Sequence, residues 1–312
     1  MFGAGATGSV FAARLTTAGH SVTVVARAAH VAEIRAHGLT IEGIRPGRFA
    51  VSAAERIAGL PVPEALLLTV KTFDLDSSMG EIAEGFSPLP PTLLPQNGLG
   101  IDERVRGRLP EPARRSAPLV RAIASVPATW LAPGRVRQAG EGELLVGAHS
   151  GNAPHPWAST FRELFRGSGI PVREVADLPR EEWRKALVNA AINPVTADHG
   201  VLNGRLADDP WRGQALALLH EARHSAALDG FEFGEAEAEA DLFRVVHATA
   251  ENRSSMLQDL ERGRATEIDA ISGTILERAW SHHVDLPATR RAVDRINEHV
   301  RRRDRLRAPQ SS

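Results

Sequence analysis

Lys185, Asn189 and Asn193 recur at intervals of four residues, so on a helix they lie along one face. An ammonium and two amides in a row suit a small anionic, oxygen-rich ligand. Lysine occurs only twice among the 37 basic residues, at Lys71 and Lys185. In a chain that otherwise uses Arg, a retained Lys points to a task Arg cannot perform. Arg stays protonated in proteins, whereas Lys can shift its pKa and give up a proton. Lys185 is therefore the expected proton donor. Asn is a mediocre helix former, and two of them in mid-helix argue against a merely solvated face. Pro194 has no amide proton for the carbonyl of Ala190, so the helix is expected to kink or end there. Helical rise separates Lys185 from Asn193 by about 12 Å, so the two need not touch the same ligand atom.

A second polar stretch runs from Asn252 through Ser255 to Asp259, followed by Gly263 as a helix stop. Thr266 and Asp269 have the spacing of a capping box, which places Glu267 in the first turn of the next helix. Its carboxylate can accept from a hydroxyl of the ligand or pair with Lys185, and the sequence leaves both open.

At the other end, Gly3, Gly5 and Gly8 match G-x-G-x-x-G. Such a turn lets backbone approach a pyrophosphate and aims a helix N-terminus at it. Alone the match is weak and needs its context. A helix from Ser9 to Ala18 and a strand at Val22 to Val25 follow, and Arg27 stands about where the ribose is read. A carboxylate there would hold the 2′-hydroxyl of NAD, whereas Arg suits the 2′-phosphate of NADP; NADPH is the expected cofactor. Only Met1 and Phe2 precede Gly3, so the central first strand looks truncated. The expectation is a start set downstream of the true one and a gap between the halves of the sheet.

These residues need a scaffold. Leu66 to Val70 is an apolar run such as a strand buried on both faces requires, and Thr92 to Leu94 and Val120 to Ala124 are further strands. With helices at Ser9 to Ala18 and Ala29 to His37, the fold class is α/β: an N-terminal Rossmann-type parallel sheet. Pro133-Gly134 marks a turn, and Arg135 to Gln138 with Glu143 to Val146 read as a hairpin pair. After Asp177 the pattern is helical, at Glu181 to Ile192, Arg212 to Leu228, Glu235 to Asn252 and Thr266 to His282. The boundary is placed near Ala176, giving an NADP-binding domain over 1–176 and an all-helical substrate domain over 177–312. The Arg-rich tail from Arg301 is expected to be frayed.

Composition narrows the function classes. The 312 residues carry a net charge of −1, no cysteine and 43% hydrophobic residues. No basic excess argues for nucleic acid, no apolar stretch is long enough to span a bilayer, and Cys-ligated metal is excluded. A cytoplasmic protein is expected, as a monomer or homodimer. His220-Glu221-Ala222-Arg223-His224 matches the H-E-x-x-H zinc motif, but no convincing third ligand follows. It is read as the polar face of an amphipathic helix, with no metal.

Taken together, the glycine turn, Val70-Lys71-Thr72, Gln96-Asn97-Gly98, the stretch from Lys185 to Pro194, the stretch from Ser254 to Asp259 and Thr266-Glu267-Ile268-Asp269 resemble the ketopantoate reductases (2-dehydropantoate 2-reductases). The resemblance covers nearly the whole chain after Gly3. It implies a Rossmann domain and a helical domain with the site in the cleft between them, and a role in pantothenate biosynthesis. By resemblance, Gly3, Gly5, Gly8, Arg27, Lys71 and Asn97 contact NADPH, Lys185 and Glu267 are catalytic, and Asn189, Asn193, Asn252 and Ser255 hold the 2-oxo acid. The chemistry agrees: hydride addition to a keto carbon leaves charge on its oxygen, which an ammonium can stabilise and then protonate. The alternatives are reduction of another small 2-oxo acid and a non-catalytic NADPH-binding sensor.

Overall fold

The computed structural model describes residues 1–111, 113–147 and 156–307. The chain divides into two compact units, Met1–Gln96 with Gly100–Pro179, and Asn97–Leu99 with the chain from Arg180 onward. The division thus falls a few residues beyond Ala176, and it assigns Asn97–Leu99 to the helical unit.

In the first unit the strands are β1 (Thr23–Val25), β2 (Leu39–Gly43), β3 (Gly47–Phe49), β4 (Ser52–Ala54), β5 (Leu66–Leu67), β6 (Thr92–Leu94), β7 (Leu119–Ser125), β8 (Ala128–Ala132), β9 (Arg135–Gln138), β10 (Glu143–Gly147) and β11 (Val172–Val175). Helices α1 (Ala6–Thr17), α2 (Ala28–His37), α3 (Leu75–Gly85), α4 (Ile101–Gly107), α5 (Ala113–Ser116) and α6 (Ala158–Leu164) connect them. Strands β5, β6 and β7 are parallel neighbours, and β1 pairs in parallel with β4.

The expected gap between these two groups is closed. Phe2 forms parallel bridges with Val25 on one side and Leu68 on the other. Its amide donates to Leu67 O at 2.8 Å and its carbonyl accepts from Thr69 N at 2.7 Å, while Gly3 N reaches Val25 O and Val25 N reaches Met1 O. The order across the sheet is therefore β4-β1-Phe2-β5-β6-β7, the 3-2-1-4-5-6 order of a dinucleotide fold with Phe2 in the central place. Both backbone groups of Phe2 are paired, and its ring is buried with Val25, Leu66 and Leu68.

The expected hairpin of β9 with β10 is not formed. β9 turns back on β8 across Pro133-Gly134 and belongs to a separate sheet of order β3-β2-β9-β8. β10 instead runs antiparallel to β7 and parallel to β11, extending the main sheet. Leu144 and Val146 are buried in the core of the main sheet, so β10 buries more beside β7 than a solvated hairpin would. Arg14, buried on α1, donates to Gln138 Oε1 and to the carbonyls of Ile44 and Arg45. That network ties α1 to the second sheet.

Helix α7 (Leu178–His199) begins at the end of the first unit and is the core of the second. Trp183, Ala186, Leu187, Ala190, Ala191, Ile192 and Val195 pack against α8 (Trp211–Leu228), α9 (Glu235–Ala248) and α11 (Thr274–Ser281). Pro194 lies inside α7, and the helix runs on to His199 instead of ending. A mid-helix Pro costs about 3 kcal/mol, whereas each buried Leu or Ile contributes about 1.5–3 kcal/mol, so packing on both sides of Pro194 outweighs the lost bond. α10 (Ser255–Glu261) ends before Gly263, whose φ of +63° serves the stop as expected. α12 (Pro287–Arg307) extends through the Arg-rich segment expected to fray, and residues 308–312 lie outside the described residues. Among the described residues no helix is long and apolar enough to cross a membrane.

Glu221 of the H-E-x-x-H match has a structural partner. Glu221 accepts from Ala288 N at 2.8 Å and from Thr289 N at 2.7 Å, capping α12. A carboxylate at a helix N-terminus satisfies amides that have no partner within the helix. His220 meets Glu239 at 3.4 Å, and His224 is exposed. His220, Glu235 and Glu239 each bring one ligand atom within 4.8 Å of the others, and His224 does not belong to that group.

Candidate active site

The three glycines of the turn have three physical reasons. Gly3 has a φ of +94°, and a Cβ there would lie 2.6 Å from Val70 N. Gly8 faces the Gly3 carbonyl and Thr69 Oγ1 so closely that a Cβ would overlap both. Gly5 differs. Its φ of −70° suits any residue, and no protein atom lies within 4 Å of where its Cβ would be. Gly3 and Gly8 are needed by the protein itself; at Gly5 the missing side chain leaves space beside backbone at the N-terminus of α1, where a pyrophosphate would lie.

The neighbours fit the same ligand. Because the bridges at Phe2 are parallel, β1, Phe2 and β5 end on the same side of the sheet. Arg27, as N-cap of α2, and Lys71, as N-cap of the 3-10 turn Thr72–Asp74, flank the glycine turn there. The Arg27 guanidinium is 87% exposed and lies 3.6 Å from Asp74. Gln96 follows β6 at this end. It is 6% exposed, its Nε2 donates to Leu68 O at 2.6 Å, and its Oε1 is buried without a partner among the described residues. An orphaned buried acceptor at the carboxyl ends of parallel strands awaits a donor. Gln96 was missed as a site residue, although it stands in the Gln96-Asn97-Gly98 motif.

Beneath the turn, Ser9 Oγ donates to Ala4 O at 3.1 Å and lies 3.4 Å from His30 Nε2. His30 Nδ1 accepts from Gly134 N at 2.8 Å, and the ring lies on Trp130. The ring therefore carries its proton on Nε2. Burial lowers the His30 pKa to about 4. A pKa depressed by folding gives stability that is present above the ordinary value of 6.5 and lost as pH falls toward 4. Between pH 7 and pH 5 this site is expected to cost about 2 kcal/mol of unfolding free energy. Urea titrations of wild type and His30→Gln should show that slope only in the wild type; equal slopes would remove His30 as its source.

In the second unit, Lys185 and Asn189 on α7 are half-buried, and Asn193 is 4% exposed. The row is thus set into the protein rather than facing water. Asn252 and Ser255 are exposed, and Ser254 caps α10 by accepting from Leu257 N. Thr196 Oγ1, three residues past Asn193, lies 2.7 Å from Ser254 Oγ. Ala197, Met256, Leu257, Ile268 and Ile296 form one apolar cluster, and it pins the start of α10 and the segment carrying Glu267 against the last turns of α7. The structure therefore brings Asn193, Ser255 and Glu267 to one region of this unit. Asn203 joins them from a side the sequence did not suggest. Its amide donates to Asn252 O at 3.0 Å, its Nδ2 to Thr249 Oγ1 at 2.9 Å, and its buried Oδ1 has no partner among the described residues.

Glu267 is 6% exposed and immediately precedes the helix rather than lying in its first turn. The expected capping box is absent: Thr266 Oγ1 accepts from Ile268 N, at 3.4 Å, instead of Asp269 N. The helix opens with a π-helical turn, Asp269–Gly273, a feature frequent at functional sites. Gly98, with φ +100°, approaches the Ala270 carbonyl too closely for any side chain. Asn97 Nδ2 then donates to Glu267 Oε2 at 3.3 Å. Expected as a cofactor contact, Asn97 is thereby held on the residue expected to serve the substrate.

The arrangement can bind a dinucleotide in one unit and present an ammonium, amides, a hydroxyl and a carboxylate in the other. Comparison with known proteins agrees. The model of the family described as ketopantoate reductase PanE/ApbA matches residues 1–151, and that of its C-terminal part matches 177–300. The 2-dehydropantoate 2-reductase of Archaeoglobus fulgidus is 32% identical over 95% of both chains, and that of Pyrococcus horikoshii 30% over 92% of both. The crystal structure of a PanE/ApbA family ketopantoate reductase from Ralstonia eutropha JMP134 covers 97% of this chain and 100% of its own, with a TM-score of 0.87 at 26% identity. The chain therefore belongs to the ketopantoate reductase family of nicotinamide-dependent oxidoreductases.

Proposed function

We propose that this chain reduces 2-dehydropantoate (ketopantoate) to pantoate with NADPH. The observation that carries the reading is Lys185, a half-buried Lys on the core helix α7, in register with Asn189 and the buried Asn193. A bound reduced nicotinamide would supply the hydride. The Lys185 ammonium stabilises the charge growing on the keto oxygen and then gives that oxygen a proton. Asn189, Asn193, Asn252 and Ser255 orient the carboxylate and the remaining oxygens, with Asn203 Oδ1 as a further acceptor. Glu267, held by Asn97, accepts from the substrate hydroxyl. Gly3, Gly5 and Gly8 admit the pyrophosphate, Lys71 and Gln96 serve the same cofactor, and Arg27 reads its 2′-phosphate. The reading takes the protein to be cytoplasmic and a monomer or homodimer.

Purified protein given NADPH and a panel of 2-oxo acids tests this. NADPH absorbance should fall with ketopantoate, and pantoate should appear in equal amount. Oxidation only with another acid would move the substrate. NADPH binding without oxidation by any acid would overturn the enzyme reading.

A further inference from the structure

Asp74 lies where a phosphate reader should have no acid. Its Oδ2 is 3.6 Å from Arg27 Nη2. Its backbone is fixed, since its amide donates to Lys71 O at 2.9 Å and its carbonyl accepts from Ser78 Oγ at 2.7 Å. The carboxylate is thus carried on an anchored backbone, 3.6 Å from the guanidinium. An exposed ion pair of this kind contributes little to stability, so packing gives no reason for it. A 2′-phosphate paired with Arg27 would bring its charge next to a fixed negative charge. A ribose 2′-hydroxyl would instead find an acceptor in Asp74 and no repulsion.

We infer that Asp74 is a specificity-determining residue that offsets Arg27 and lets this enzyme use NADH as well as NADPH. The inference rests on the reading of Arg27 as the residue at the ribose. Arg27 favours the phosphate, Asp74 accepts from the hydroxyl, and the pair sets a modest preference where Arg27 alone would set a strong one.

The test is the dissociation constant of NADH and of NADPH, read by cofactor fluorescence, for wild type, Asp74→Asn, Arg27→Ala and Asp76→Asn. Asp74→Asn is expected to bind NADPH about three- to tenfold more tightly by removal of one nearby charge. It should bind NADH about two- to tenfold less tightly, because a charged acceptor is replaced by a weaker neutral one. The NADPH gain should shrink in 1 M salt, where the Debye length is about 3 Å; a purely structural effect would not respond. Asp76, paired with Arg104 and Arg108, is the control: Asp76→Asn should leave the preference unchanged. Equal change for both cofactors in Asp74→Asn, or none, overturns the inference. Equal loss of both in Arg27→Ala would instead overturn the ribose assignment of Arg27 and leave Asp74 without its premise.

Discussion

Lys185→Arg is expected to fold, to bind NADPH with unchanged affinity, and to lose kcat by about 10²- to 10⁴-fold, the usual worth of a positioned general acid. The substitution keeps the positive charge and removes the proton that can be transferred. KM for the 2-oxo acid should move far less than kcat, because attraction for the carboxylate survives. Stopped-flow measurement of a single turnover isolates the chemical step from product release. A near-normal rate there would remove Lys185 as proton donor and assign it to binding alone. The environment supports the expectation: α7 is packed by Trp183, Leu187, Ile192 and Val195, so its register is set by the core and a change at position 185 should not move Asn189 or Asn193.

The second large effect separates two glycines three residues apart. Gly5→Ala should leave stability within about 1 kcal/mol, since its φ is ordinary and no protein atom lies near the new Cβ. It should nevertheless weaken dinucleotide binding by tenfold or more, because the methyl fills the space in which a pyrophosphate approaches backbone. Gly8→Ala should do the reverse in order of severity. Its Cβ meets the Gly3 carbonyl and Thr69 Oγ1, and overpacking against backbone costs about 1–3 kcal/mol or more, so the protein should melt lower before any ligand is added. Thermal unfolding together with cofactor titration reads both. A Gly5→Ala protein that binds normally would show that the open space is not where the cofactor lies.

What could be read from the sequence, and what could not, divides by the range of the interaction. The glycine turn, Arg27 at the end of β1 and the row on α7 are local patterns, set by dihedral freedom and helical repeat, and the structure places them on the expected elements. Partner choice is tertiary. Nothing near Arg135 distinguishes pairing with β8 from pairing with β10; the difference lies in where Leu144 and Val146 are buried. Pro194 signals a kink or an end by local rules, and packing on either side carries the helix on to His199. The Thr266–Asp269 spacing fits a capping box, yet the π-helical turn beside Gly98 takes its place. Gln96 and Asn203 carry no periodicity at all. Gln96 is marked by its motif and by an orphaned buried oxygen, Asn203 by the oxygen alone, and burial is not written in a residue's type. Asn97 pairs with Glu267, 170 positions further along, which spacing alone does not reveal.

The single-residue bridge at Phe2 has a mechanical side. On one side of it stand β1, β4 and Arg27; on the other, β5 to β7 with Lys71 and Gln96. At the middle of the main sheet the two groups of strands are joined through the backbone of Met1, Phe2 and Gly3. A dinucleotide laid across the glycine turn, touching Arg27 at one end and Lys71 at the other, would span that join like a splint. Its binding energy would then also serve as cohesion between the two groups of strands.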